Sequence, residues 1–136
     1  MDVHKIYKNY ETIEKYLFNL DTFKIETLEQ FEDQFNDYLA ISMSLFTILN
    51  ACIEIGEGLI EEKNLEFPST YKKVFEILGN NKVIDKKLAK KLSNHMKERN
   101  MIAHQYDDIN KEDIYNLFLQ KEIFSDFISQ TKKLWK

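Results

Sequence analysis

The chain has 136 residues, 43% of them apolar, with only three glycines and one proline. That is enough to bury one core of ordinary size and too few turn residues for a sandwich or barrel, so one all-α domain over residues 1–136 is expected, an antiparallel bundle of about five helices. A formal net charge of −4 argues against a protein coated in nucleic acid, but residues 1–66 hold 5 lysines against 14 acids while residues 67–136 hold 14 basic residues against 9 acids, so a local field can still attract a polyanion.

The opening residues, MDVHKIYKNYE, carry charges throughout and no apolar stretch, which argues against a signal peptide. A first helix is expected from Asp2 to Leu20, with Val3, Ile6, Tyr7, Tyr10, Ile13 and Leu17 at three- and four-residue steps. Thr27 and Gln30 form a capping-box pattern that opens a long central helix. Its apolar stripe runs without interruption from Leu28 through Phe31, Phe35, Tyr38, Ile41, Leu45 and Ile48 to Leu59, and its end is expected near Gly56 or Glu62. The uncharged run Tyr38–Ile53 is 16 residues long and includes Ser42, Ser44, Thr47 and Asn50, short of the roughly 20 apolar residues that span a bilayer. Lone Cys52, among Leu49, Ile53 and Ile55, reads as a buried structural thiol and suits a reducing cytoplasm.

A short helix is expected to open near Ser69, bury Tyr71, Val74, Phe75 and Leu78, and stop at Gly79 acting as a C′ glycine. Asp85 is placed to cap the next helix, whose Leu88, Leu92, Met96 and Arg99 lie on neighbouring turns. A last helix is expected from Asp108 or Asn110 through Ile114, Leu117, Phe118, Phe124, Phe127 and Ile128 to Trp135. Gly56 and Gly58 form a GxG with no preceding strand, so they are read as loosening or ending the central helix rather than as a nucleotide loop.

The stretch KERNMIAHQYDD, residues 97–108, holds the only arginine of a chain with eighteen lysines. On an ideal helix Arg99 and Tyr106 fall within about 20° of one stripe, whereas His104 lies about 140° from Arg99. Either the helix loosens near Ala103, or a second chain brings guanidinium and imidazole together across a two-fold axis. The groups suit RNA cleavage by its own 2′-hydroxyl. A guanidinium matches phosphate oxygens and keeps its charge, and an imidazole moves protons near neutrality. No metal or other cofactor is needed, and His4, His95 and His104 are scattered without HxxxH, HxH or CxxC spacing. Blander readings remain open at this point: Arg99 as a helix-end arginine holding carbonyls or Asp107, His104 as a helix-terminal histidine, Tyr106 as a core-edge aromatic, and His95 as a partly buried structural histidine.

RNMIAHQY fits the Arg-x4-His-x-Tyr motif of HepT-like toxins, a branch of the HEPN superfamily. The resemblance extends back through ACIEIGEGLI, FPSTYKKVFEIL and VIDKKLAKKL in the order the family shows. It implies the toxin of a type VII toxin–antitoxin pair, a metal-independent cytoplasmic endoribonuclease that acts as a homodimer with paired Arg-His motifs at the interface. Arg99 would polarise the scissile phosphate, His104 would be the acid-base group, and Asn100 would help to orient the site. Tyr106 would be the residue that a partner antitoxin, a minimal nucleotidyltransferase of the MntA type, modifies with AMP. In that setting Lys86, Lys87, Lys90, Lys91 and Lys97 would attract the RNA backbone, while Glu54 and Glu57 either oppose it or, for Glu54, assist His104. The competing reading is a non-catalytic helical adaptor, or a nucleotide-binding partner of the nucleotidyltransferase, in which the Arg-His pair merely holds a phosphate.

Overall fold

A computed structural model describes residues 2–104 and 109–135. Seven α-helices follow one another: α1 (Val3–Leu20), α2 (Leu28–Asp33), α3 (Phe35–Glu62), α4 (Tyr71–Asn80), α5 (Lys86–His104), α6 (Lys111–Leu119) and α7 (Glu122–Thr131). A 3₁₀ turn over Lys132–Leu134 closes the chain, and the described residues include no strand. The all-α expectation holds, but seven helices replace about five because two expected helices are broken.

The long central stripe breaks at Gln34, whose backbone (φ −93°, ψ 80°) leaves the helical region. Burial of Phe31 accounts for the break. With α2 turned aside, the Phe31 ring is fully buried, 5.3 Å from Tyr38 and 5.4 Å from Tyr115 of α6, a gain of about 2 kcal/mol that outweighs the helical bonds lost at one residue. The last expected helix breaks at Gln120 and Lys121. The turn lets α6 bury Ile114, Leu117 and Phe118 while α7 buries Ile123, Phe124 and Phe127. One straight rod does not bring both sets onto the same core.

The glycines also differ from expectation. Gly56, Gly58 and Gly79 lie inside helices and are buried. A Cβ on Gly56 would sit 2.6 Å from Val74 Cγ1, and one on Gly79 would sit 2.5 Å from Ala89 Cβ, so these two glycines set how closely α4 approaches α3 and α5. Helix ending falls instead to Asn64 (φ 53°) and Lys82 (φ 59°). After each, the next N–H reaches back to close the turn, Leu65 to the Ile60 carbonyl and Val83 to the Leu78 carbonyl, both at 2.9 Å. Helix α4 opens beside Ser69 as expected, with Thr70 as its cap, Oγ1 accepting from the Lys73 N–H. Asp85 caps α5 as expected, accepting from the Leu88 N–H at 2.7 Å.

Helix α3 is the axis, with α1 along one side and the antiparallel pair α4 and α5 along another. All seven helices contribute to one cluster of buried apolar side chains. By length and composition α3 is apolar enough to cross a membrane, but most of its apolar length is buried in the bundle. Cys52 is fully buried, and burial pushes its thiol well above the usual range. The chain ends are joined by a buried relay: Trp135 Nε1 donates to the Tyr10 hydroxyl at 2.8 Å, and that hydroxyl donates to Thr131 Oγ1 at 2.9 Å.

Candidate active site at the end of α5

Helix α5 carries two distinct faces. Lys86, Lys90, Lys97, Asn100 and His104 fall within about 40° of one line along it, and Arg99 points about 140° away. Arg99 is therefore turned inward, to where α5 meets α3 and α4. Its Nε donates to Asn50 Oδ1 of α3 at 2.9 Å, and Nη1 donates to Asn100 Oδ1 at 3.3 Å. The guanidinium carbon lies 4.6 Å from the centre of the Tyr71 ring and 5.4 Å from that of Phe46. Two aromatic faces and two side-chain amides thus fix a half-buried cation, and Nη2 is left without a partner among the described residues. Such pre-set donors are what a charged phosphate requires, because they need no rearrangement as charge develops.

Beside Arg99 opens a cleft of about 370 Å³ lined by Asn100, Glu57, Tyr71, Thr70, Ser69 and Pro68. Burial and the nearby Glu54 charge raise the Glu57 carboxyl above its usual value. Of the two acids, it is Glu57 that shares this cleft with Asn100. Glu54 lines a separate hollow against α1, with Asp2, Lys5 and Asn9, although Glu57 reaches that one as well.

His104 is exposed at the last residue of α5, which stays helical throughout. Loosening at Ala103 therefore does not occur, and helix geometry keeps His104 about 140° from Arg99. Tyr106 and Asp107 lie outside the described residues. His95 is structural, as expected: Nδ1 pairs with Glu98 Oε1 at 2.6 Å, and Nε2 lies 3.4 Å from Gln120 Oε1. The Glu98 side chain is only 4% exposed, and its Oε2 is buried without a partner among the described residues.

The five lysines of α5 do not form one patch. Lys86 and Lys90 face a trough toward α4. Lys87 and Lys91 flank Asp85 and Asp126 on the α7 side, and Lys97 pairs with Asp113 of α6 at 3.1 Å.

Residue patterning alone missed Phe46, Asn50 and Tyr71 as the setting of Arg99. One signal was present. Phe35, Leu39, Met43, Phe46, Asn50, Glu54 and Glu57 all fall within about 100° of arc on α3, a face too apolar at one end and too acidic at the other to be ordinary core. Asn50 marks the change from its apolar end to its acidic end.

Comparison with known proteins agrees with this architecture. A protein named tRNA nuclease HepT from Aphanizomenon flos-aquae is 27% identical over 105 residues, 77% of this chain and 71% of that protein. A protein named mRNA nuclease HepT from Shewanella oneidensis is 25% identical over 104 residues, 76% of this chain and 78% of that one. Among solved structures, the tri-AMPylated Shewanella oneidensis HEPN toxin in complex with MNT antitoxin superposes with a TM-score of 0.82 at 22% identity, covering 94% of this chain and 96% of that one. The ribonuclease HepT-like family model matches residues 6–134. The chain belongs to the ribonuclease HepT-like family.

Proposed function

We propose that the chain is the toxin of a toxin–antitoxin pair, an endoribonuclease that acts as a homodimer and is silenced by a nucleotidyltransferase of the MntA type. The observation that carries this reading is the Arg99 clamp: the one guanidinium of the chain, held by Asn50, Phe46 and Tyr71 at the edge of an open cleft. The relatives named above are nucleases, and the solved neighbour is an AMPylated toxin held by its antitoxin.

The α3 face supplies the argument for a second copy. Phe35, Leu39 and Met43 are exposed, and their stripe continues directly into Phe46 and Asn50. Contiguous exposed apolar side chains favour association, and two copies of this face would set two Arg99 sites side by side. That pairing resolves the helix-phase problem, because His104 of one protomer need not reach Arg99 of its own chain.

At such an interface His104 takes the proton from the RNA 2′-hydroxyl, the 2′-oxygen attacks phosphorus, and the 5′-oxygen leaves with the proton that the His104 imidazolium returns. Arg99 holds the phosphate oxygens while charge builds. The products are a 2′,3′-cyclic phosphate and a free 5′-hydroxyl. Asn100 steadies the guanidinium from within the cleft. AMP on Tyr106 would add bulk and a phosphate charge where the substrate phosphate must sit, and inhibition would follow from sterics and repulsion together.

The test is cleavage of RNA in EDTA by wild type, Arg99→Ala and His104→Ala. Cyclic-phosphate ends from wild type alone support the reading. Equal rates from all three refute the assignment, whereas no cleavage by wild type leaves the adaptor reading in its place.

A further inference from the structure

Between α4 and α5 runs a trough of about 430 Å³, lined by Lys72, Lys86 and Lys90 with Asn80, Asn94 and Glu76. It shares Gly79 and Lys86 with a neighbouring hollow of about 560 Å³ that adds Lys82 and Lys133. Two acids line the pair of hollows, and both are engaged. Glu76 lies 3.5 Å from Lys73, while Asp85 accepts from the Leu88 N–H and from Gln130 Nε2, each at 2.7 Å. None of the five lysines forms an ion pair among the described residues. In a chain of net charge −4, unneutralised positive charge is concentrated here.

The trough also leads somewhere. Because α4 and α5 are antiparallel, its Gly79–Ala89 end lies at the start of α5, and Lys72 at the other end is the residue after Tyr71, which covers Arg99. Along α5 the line through Lys86 and Lys90 continues to Asn100 and His104, about 27 Å from first to last. A stacked strand advances about 3.4 Å per phosphate, so this length matches about eight nucleotides.

We infer that the trough is a track for the backbone of single-stranded RNA, with Lys72, Lys86 and Lys90 as its main phosphate contacts and Lys82 and Lys133 extending it. The inference rests on the nuclease reading for what the track serves. Its chemistry favours RNA over a protein partner: the α4/α5 part is lined by no apolar side chain larger than alanine, whereas protein interfaces depend on buried aromatic and aliphatic anchors. Lysine, asparagine and serine are ordinary phosphate-binding groups. Lys87 and Lys91 are excluded from the track by their position beside Asp85 and Asp126, and Lys97, though on the same line of α5, is left out because Asp113 already pairs with it.

The experiment measures binding of a fluorescent twelve-nucleotide single-stranded RNA to full-length protein carrying His104→Ala, which keeps the probe intact. Replacing Lys72, Lys86 and Lys90 together by glutamine should weaken binding at least tenfold and lower the slope of log affinity against log salt by about two, near 0.7 per lost phosphate contact. Replacing Lys87 and Lys91 by glutamine should change affinity less than threefold. With His104 restored, the triple change should cost at least tenfold more on the twelve-nucleotide strand than on a dinucleotide. Equal losses from the two lysine sets, or triple-variant binding like wild type, overturn the track. So does a triple variant that keeps RNA affinity but loses its nucleotidyltransferase partner, which makes the trough a protein dock. If wild type cleaves neither substrate yet the triple variant alone loses RNA, the track stands and the nuclease reading falls.

Discussion

Asn50→Ala is the most pointed perturbation of the clamp. Asn50 Oδ1 is the acceptor for Arg99 Nε at 2.9 Å in a partly buried setting. Hydrogen bonds to charged groups contribute about 1.5–3 kcal/mol. Tyr71 and Phe46 still flank the guanidinium in the variant, and water can occupy the vacated space, so the lower figure applies: about 1.5 kcal/mol, or about tenfold in rate. Because the guanidinium acts on charge that develops during reaction, the loss should fall on kcat more than on KM. The assay is initial-rate cleavage of a short RNA in EDTA, with urea unfolding alongside to confirm an intact fold. A double-mutant cycle makes the reasoning refutable: in an Arg99→Ala background, Asn50→Ala should have almost no effect. A tenfold loss that persists without Arg99, or no loss with it, contradicts the clamp.

Three further outcomes follow from the same structure. His95→Ala strands the Glu98 carboxyl, which already has one buried oxygen without a partner among the described residues, so stability should fall by about 3 kcal/mol and Tm by about 10 °C; a shift under about 2 °C contradicts a structural role. Asp85 is held below the usual carboxylate range, first by the Leu88 N–H and then by Gln130, so its contribution is complete above its unfolded value near 3.9 and is lost as pH falls through the lower folded value. Asp85→Ala should therefore cost about 1 kcal/mol at neutral pH in urea unfolding, with the gap to wild type closing in acid; a gap independent of pH is the opposing result. Glu57→Gln removes a negative charge from the cleft that holds Asn100. At about 7 Å in water that charge costs a phosphate about 0.6 kcal/mol, so RNA affinity should rise about threefold, and unchanged or weaker binding would mean that Glu57 does not face the substrate.

The helical class, the long α3, the Asp85 cap, the buried Cys52 and the structural His95 were all legible in the sequence, because each depends on spacing or on chemistry carried by near neighbours. The breaks at Gln34 and Gln120 were not. Apolar periodicity continues through both, and what breaks the helix is a tertiary gain, the placing of Phe31 against Tyr115 across 84 positions of chain. The glycines misled for a related reason. Gly79 looks like a helix stop in one dimension, but its value is the closeness of Ala89 in three. In the site, Arg99 and His104 stood out by residue type, whereas Asn50 lies 49 positions from Arg99 and only the packing of α3 against α5 brings them together. The lysines of α5 looked like one patch because sequence gives their number, and only helix phase and neighbouring acids divide them.

Cleavage by the proposed route requires Arg99 of one protomer to act with His104 of its partner. The direct measurement is the RNA cleavage rate of a purified heterodimer in which one protomer carries Arg99→Ala and the other His104→Ala, differently tagged and co-expressed. Each parent homodimer is expected to keep only residual activity, while the heterodimer keeps one of two cross-chain pairs and should cleave at about half the wild-type rate per dimer. A heterodimer as inactive as its parents contradicts a site shared between chains.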